Sequence, residues 1–115
     1  MAFAKEVTIP GDTTYRLNAT IKKYTLLDVG FITNNAGAFV LHRALEPDKL
    51  LEQAIQLKLT INPDLTGFKM STVAAGDRAR IDIFKNPNAP QLIELYHFFI
   101  DELVQRGIIE RVKHD

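Results

Sequence analysis

The sequence predicts an α+β domain of two mainly antiparallel sheets packed against one long C-terminal helix, with one further short helix. Three observations carry that expectation. Runs that alternate apolar and polar residues outnumber runs of helical period. Most neighbouring runs are joined by turns too short for the crossover that a parallel pair needs. The one long segment of helical period, Pro90–Gly107, is apolar over roughly half its circumference at about 100° per residue. That arc comprises Leu92, Ile93, Leu95, Tyr96, Phe99, Ile100, Leu103 and Val104. It is too wide for a helix lying on one side of a sheet, so it needs two burying surfaces. A length of 115 residues fits a single domain, 1–115.

The elements follow in chain order. Phe3–Ile9 alternates loosely, Pro10-Gly11-Asp12-Thr13 is a turn cluster, and Tyr15–Lys22 alternates cleanly. Together they read as an antiparallel hairpin with one wet face. Tyr24–Thr33 reads as a strand, because Gly30 interrupts any helix there. Asn34-Asn35-Ala36-Gly37 is a turn, and Phe39-Val40-Leu41 opens a strand apolar on both faces, hence central. Glu46-Pro47-Asp48 opens a short helix over about Pro47–Ala54. Gln56–Ile61 returns to period two, and 62–67 is a loop. Phe68–Val73 and Arg78–Phe84 flank Ala74-Ala75-Gly76-Asp77 as a second hairpin. Pro90 suits a first helical turn, where its missing N–H is no loss. Gly107 stands where a left-handed helix cap belongs. Ile108–Val112 is a last strand or a frayed tail.

Composition removes several chemistries. The formal net charge is zero, which argues against a nucleic-acid partner, since phosphate binding calls for a basic excess. The chain has no cysteine, so disulfides, thiolate nucleophiles and cysteine-based zinc sites are excluded. No segment approaches the roughly 20 apolar residues of a membrane span, and the first residues lack a secretory pattern. The expectation is a cytoplasmic protein with no membrane partner, no metal and no cofactor.

Among candidate site residues, Glu94, His97 and Asp101 share one helix face at spacings of three and four. They form either the solvated side of the helix or a carboxylate–imidazole site, and the first reading is favoured. Phe98 falls in the same polar sector. A ring there is covered by a terminal segment or belongs to a contact surface, with a second copy of the chain as one candidate partner. Arg78, Arg80 and Asp82 alternate on one face of the expected last hairpin strand. Two arginines one pleat apart suit a carboxylate or phosphate, unless the face is simply solvated. His42 near the end of another strand extends that candidate ligand set, with His97 as its fourth member. Ser71 is the only serine and reads as mid-strand, without the sharp turn of a nucleophile. Asn35-Ala36-Gly37-Ala38 precedes a strand, so it is no phosphate cradle at a helix start.

The NNAGAF turn, the TGFKMSTV strand and the YHFFIDELVQRGIIERV terminus together are similar to a family of small proteins of lactic-acid bacteria and their relatives, catalogued as a domain of unknown function. The resemblance covers essentially the whole chain. It implies two sheets packed against one main helix, a place in amino-acid metabolism, a remote fold likeness to the S-adenosylmethionine decarboxylases, and an association with sulfur transfer to transfer RNA. The decarboxylase chemistry does not carry over. It requires self-cleavage between a glutamate and a serine, and a cysteine proton donor, whereas Ser71 follows Met70 and there is no cysteine. The expected function is a non-catalytic accessory or binding protein linked to amino-acid or sulfur metabolism. The alternative is a small enzyme or ligand binder using Arg78, Arg80, His42 and His97.

Overall fold

The computed structural model describes residues 3–77, 79–86 and 89–112. The order of elements is β1 (Glu6–Thr8), β2 (Thr14–Leu17), α1 (Lys23–Val29), β3 (Ile32–Thr33), β4 (Phe39–Ala44), β5 (Gln56–Ile61), β6 (Phe68–Val73), α2 (Ala89–Gln105) and β7 (Ile109–Arg111). Two antiparallel sheets result, one ordered β1-β2-β7 and the other β3-β4-β5-β6. A bridge between Ala4 and Phe68 ties their edges, each backbone N–H donating to the other residue's carbonyl.

Period-two patterning sets the faces of the larger sheet. Phe39–Ile61–Phe68 and Leu41–Leu59–Met70 form transverse rows, and all six side chains are buried. The opposite face carries the rows Val40–Thr60–Lys69, His42–Lys58–Ser71 and Ala44–Gln56–Val73. The last row is covered: Gln56 and Val73 are buried, and the Gln56 amide donates to the Leu51 carbonyl. The other two rows stay open.

α2 buries a narrow stripe, Leu92, Tyr96, Ile100 and Leu103, in the same core cluster as the inner residues of both sheets. Ile93, Leu95, Phe99 and Val104 pack partly buried along its flanks. The wide apolar arc is therefore a deep centre with half-buried shoulders. The helix closes at Gly107, whose φ of 73° suits a residue without Cβ. Gly107 N–H donates to the Val104 carbonyl and Ile108 N–H to the Leu103 carbonyl, while the Leu103 and Ile108 side chains are buried. Both bonds and the apolar pair are those of a Schellman closure.

Several expected elements differ. The stretch 24–33 is not one strand but helix α1 followed by the two-residue β3. Gly30 ends this helix rather than preventing it: at φ 122° it lets the N–H groups of Gly30 and Phe31 bond the Leu26 carbonyl. The expected helix at 47–54 is only a turn and a 3-10 segment, Leu51–Gln53, so the short helix of the fold lies at α1 instead. Extended backbone at Leu50 and Ala54 confines the helical conformation there to three residues. The clean alternation of 15–22 forms a strand only to Leu17, because Asn18 then turns the chain, its side-chain oxygen accepting from Thr20. The second hairpin is also reduced. Beyond β6 the chain returns through one bridge, Val73 to Arg80, and Asp82 then caps a 3-10 turn at Ile83–Lys85 instead of continuing a strand. The tail after α2 is a paired strand, β7, with Ile109 opposite Leu17 and Arg111 opposite Tyr15.

Candidate functional site

The open part of the outer sheet face is a shallow groove of about 630 Å³. Its floor is Val40, Thr60, Lys58, Ser71 and Lys69, and its rim includes Asn34, Pro63 and Arg80. Pairing in register explains the floor, because Lys58 opposite Ser71 and Thr60 opposite Lys69 must project from the same side of the pleat. The Val73–Arg80 bridge brings the arginine to the margin of that face. Among the described residues the lining holds three cations, Lys58, Lys69 and Arg80, and no carboxylate. The Lys69 ammonium lies 4.5 Å from the Phe3 ring centroid, which orients its stem across the sheet edge. His42 shares the Lys58–Ser71 row.

A second groove, of about 460 Å³, opens on the other side of the β6 edge. Val7, Ile9, Met70, Ile81 and Phe84 make its apolar walls, and Lys69, Ser71 and Arg80 line it as well as the first groove. Asp82, the one carboxylate in this lining among the described residues, accepts from the Phe84 N–H at 3.0 Å.

The most constrained polar group lies elsewhere. Asp12, in the β1–β2 turn, accepts from the Tyr15 hydroxyl at 2.5 Å and the Tyr96 hydroxyl at 2.8 Å, and His97 Nε2 stands 3.3 Å from its other oxygen. Both tyrosines are fully buried, and the Asp12 side chain is 13% exposed. Burial alone would raise the Asp12 carboxyl, but hydrogen bonds from Tyr15, Tyr96 and His97 outweigh it and hold the group below its ordinary 3.8. Burial pushes both phenols well above their usual range, and the neighbouring carboxylate pushes them further. The hydroxyls therefore stay protonated donors. This hub ties the first hairpin to α2 and opens on none of the grooves described above.

The sequence-predicted residues thus separate. Arg80 and His42 belong to the outer sheet face. Arg78 lies outside the described residues. His97 turns to Asp12, and Asp101 pairs with Arg111 of β7, so the helix stripe does not converge on one site. Among the described residues no group of three or more His, Asp or Glu is placed to hold a metal. Phe98 is 60% exposed, so no described segment covers it, and the terminal residues 1–2 and 113–115 lie outside the described ones. It borders a third groove, of about 690 Å³, between α2 and residues 45–49. Sequence reasoning missed Lys58 and Lys69. Both occupy the polar phase of their strands, but only the pairing register places them diagonally on one face.

Comparison with known proteins agrees with this architecture. A family model, DUF1831, described as "Putative amino acid metabolism", matches residues 1–110. Among solved structures, the crystal structure of a DUF1831 family protein from Lactobacillus plantarum is similar at 42% identity, with a TM-score of 0.86, over 97% of this chain and 99% of that one. Curated proteins give no match. With the two-sheet fold, its long C-terminal helix and a family match over nearly its whole length, the chain belongs to the DUF1831 family.

Proposed function

We propose that the protein is a binding module for a small anionic ligand, held on the outer face of the four-stranded sheet by Lys58, Lys69 and Arg80. The observation that carries this reading is the lining itself: three cations and the Ser71 hydroxyl on one concave surface, without a carboxylate among the described residues. Arginine offers a planar fork to a carboxylate or phosphate, and the lysines add point charge beside it. The family's description fits a carboxylate-bearing ligand. A backbone NMR titration of the full chain with acetate and with inorganic phosphate tests the reading. Saturable shifts should centre on residues of β5, β6 and Arg80, and the double variant Lys58→Ala/Arg80→Ala should lose them. Shifts scattered over all surface lysines, or none, would refute it.

The exposure of Phe98 favours a second reading, an accessory surface for another protein. Its groove carries Leu45, Pro47, Leu92 and Leu95 beside Glu46, Asp48 and Glu94, with Lys49 bound to Glu46 at 3.0 Å. Two copies joined here would set acid against acid, so charge favours a partner with a basic, apolar face. The free chain should sediment as a monomer. Phe98→Asp should alter its stability by no more than about 0.5 kcal/mol, the usual range for an exposed position. A wild-type dimer that Phe98→Asp dissociates would assign the surface to a second copy instead.

A further inference from the structure

The two grooves along β6 share Lys69, Ser71 and Arg80 and differ in everything else. On one side lies the cationic sheet face. On the other, Val7, Ile9, Met70, Ile81 and Phe84 surround about 460 Å³, a volume within the range of small-ligand sites. Ile9 and Met70 belong to the core cluster, so this second groove reaches the hydrophobic interior at the open seam between the sheets. The seam opens beyond the Ala4–Phe68 bridge, the one tie between the sheet edges among the described residues, where β1 leaves β6 to pair with β2. Arg80 and Ile81 are neighbours in sequence: one lines the charged groove, and the other walls the apolar one.

We infer that the ligand is an amphipathic anion, with its carboxylate or phosphate at Lys69, Ser71 and Arg80 and an aliphatic or aromatic body in the apolar groove between β1 and β6. This deepens the anion-binding reading and rests on it. A purely hydrophilic polyanion would leave the apolar walls in water, and a neutral apolar molecule would make no ionic contact with Lys69 or Arg80 at the groove's shared edge. Only a molecule with one charged end and one apolar body satisfies both surfaces at once.

The chain offers a simple reporter. It has two methionines, Met1 and Met70, so methyl-labelled methionine gives two signals, and Met70→Leu assigns the one in the groove wall. Straight-chain carboxylates from acetate to octanoate should bind with affinity rising roughly three- to fourfold per methylene until the groove is filled. The Met70 methyl signal should move with the long members and stay still with acetate. Ile81→Ser should flatten the dependence on chain length. Alkyl phosphates of matching length, run in parallel, decide which head group the cations prefer. If acetate binds at the cations but affinity is independent of tail length and Met70 stays still, this inference fails and the anion-binding reading stands. If no anion binds, both fail. If alkanols bind as tightly as the carboxylates of equal length, the pairing of charged head with apolar body is wrong.

Discussion

Asp12→Ala is expected to destabilise the protein by about 2–5 kcal/mol. Its carboxylate is the acceptor for the Tyr15 and Tyr96 hydroxyls, and both rings are fully buried. Removing the acceptor strands two buried donors, each at a cost of about 1–3 kcal/mol. Tyr15→Phe removes one donor and leaves the carboxylate bonded by Tyr96 and His97, so it should cost less. Denaturant melts give both values. A loss under about 1 kcal/mol for Asp12→Ala would mean that water reaches the hydroxyls.

The same site shapes stability against pH on both limbs. The folded Asp12 carboxyl sits below its ordinary 3.8, so its contribution is complete above that value and disappears as pH falls through the folded pKa. Tyr15 and Tyr96 are raised above their ordinary 10.0, so their contribution is complete below pH 10.0 and is lost as pH rises further. Asp12→Ala should flatten the acid limb only in part. Glu46 also lies below its ordinary value, chiefly because the Ile55 N–H donates to it, and it remains.

Leu103→Ala should also cost about 2–5 kcal/mol, the range for a fully buried leucine whose site collapses incompletely. Leu103 belongs to the central stripe of α2, and its carbonyl and side chain both take part in the Gly107 closure with Ile108. The substitution thus opens a cavity and loosens the turn that starts β7. Phe99 lies on the half-buried shoulder of the helix, and Phe99→Ala should cost less. Equal losses at the two positions would contradict the division of the helix into deep stripe and shoulder.

What was legible shows most clearly at the two glycines that end helices. Leu103-Val104-Gln105-Arg106-Gly107-Ile108 and Leu26-Leu27-Asp28-Val29-Gly30-Phe31 follow one pattern: a leucine, a glycine four residues later, and an apolar residue that returns to the leucine. In both, the N–H after the glycine reaches the leucine carbonyl. At Gly107 the preceding seventeen-residue helix made the closure obvious. At Gly30 the helix has only seven residues, a length at which apolar spacing does not separate helix from strand, so the same glycine reads as a breaker. Arg43 completes that closure from far along the chain, donating to the Val29 carbonyl at 2.8 Å, a contact no local reading provides.

Residue pattern alone carried the fold class, the long helix with its glycine closure, the period-two phase of β5, and the exclusion of cysteine chemistry. These depend on local period and composition, which the chain carries within windows of a few residues. Which polar residues share a surface depends on strand pairing and long-range contacts. His97 is drawn to Asp12, 85 positions away, and so leaves the arginine set with which it was grouped. Lys58 and Lys69 become diagonal neighbours through the register of β5 on β6, and Arg80 joins them through its bridge to Val73. A site is assembled by strand pairing and long-range hydrogen bonds. Those interactions depend on distance in space, whereas a sequence records only distance along the chain.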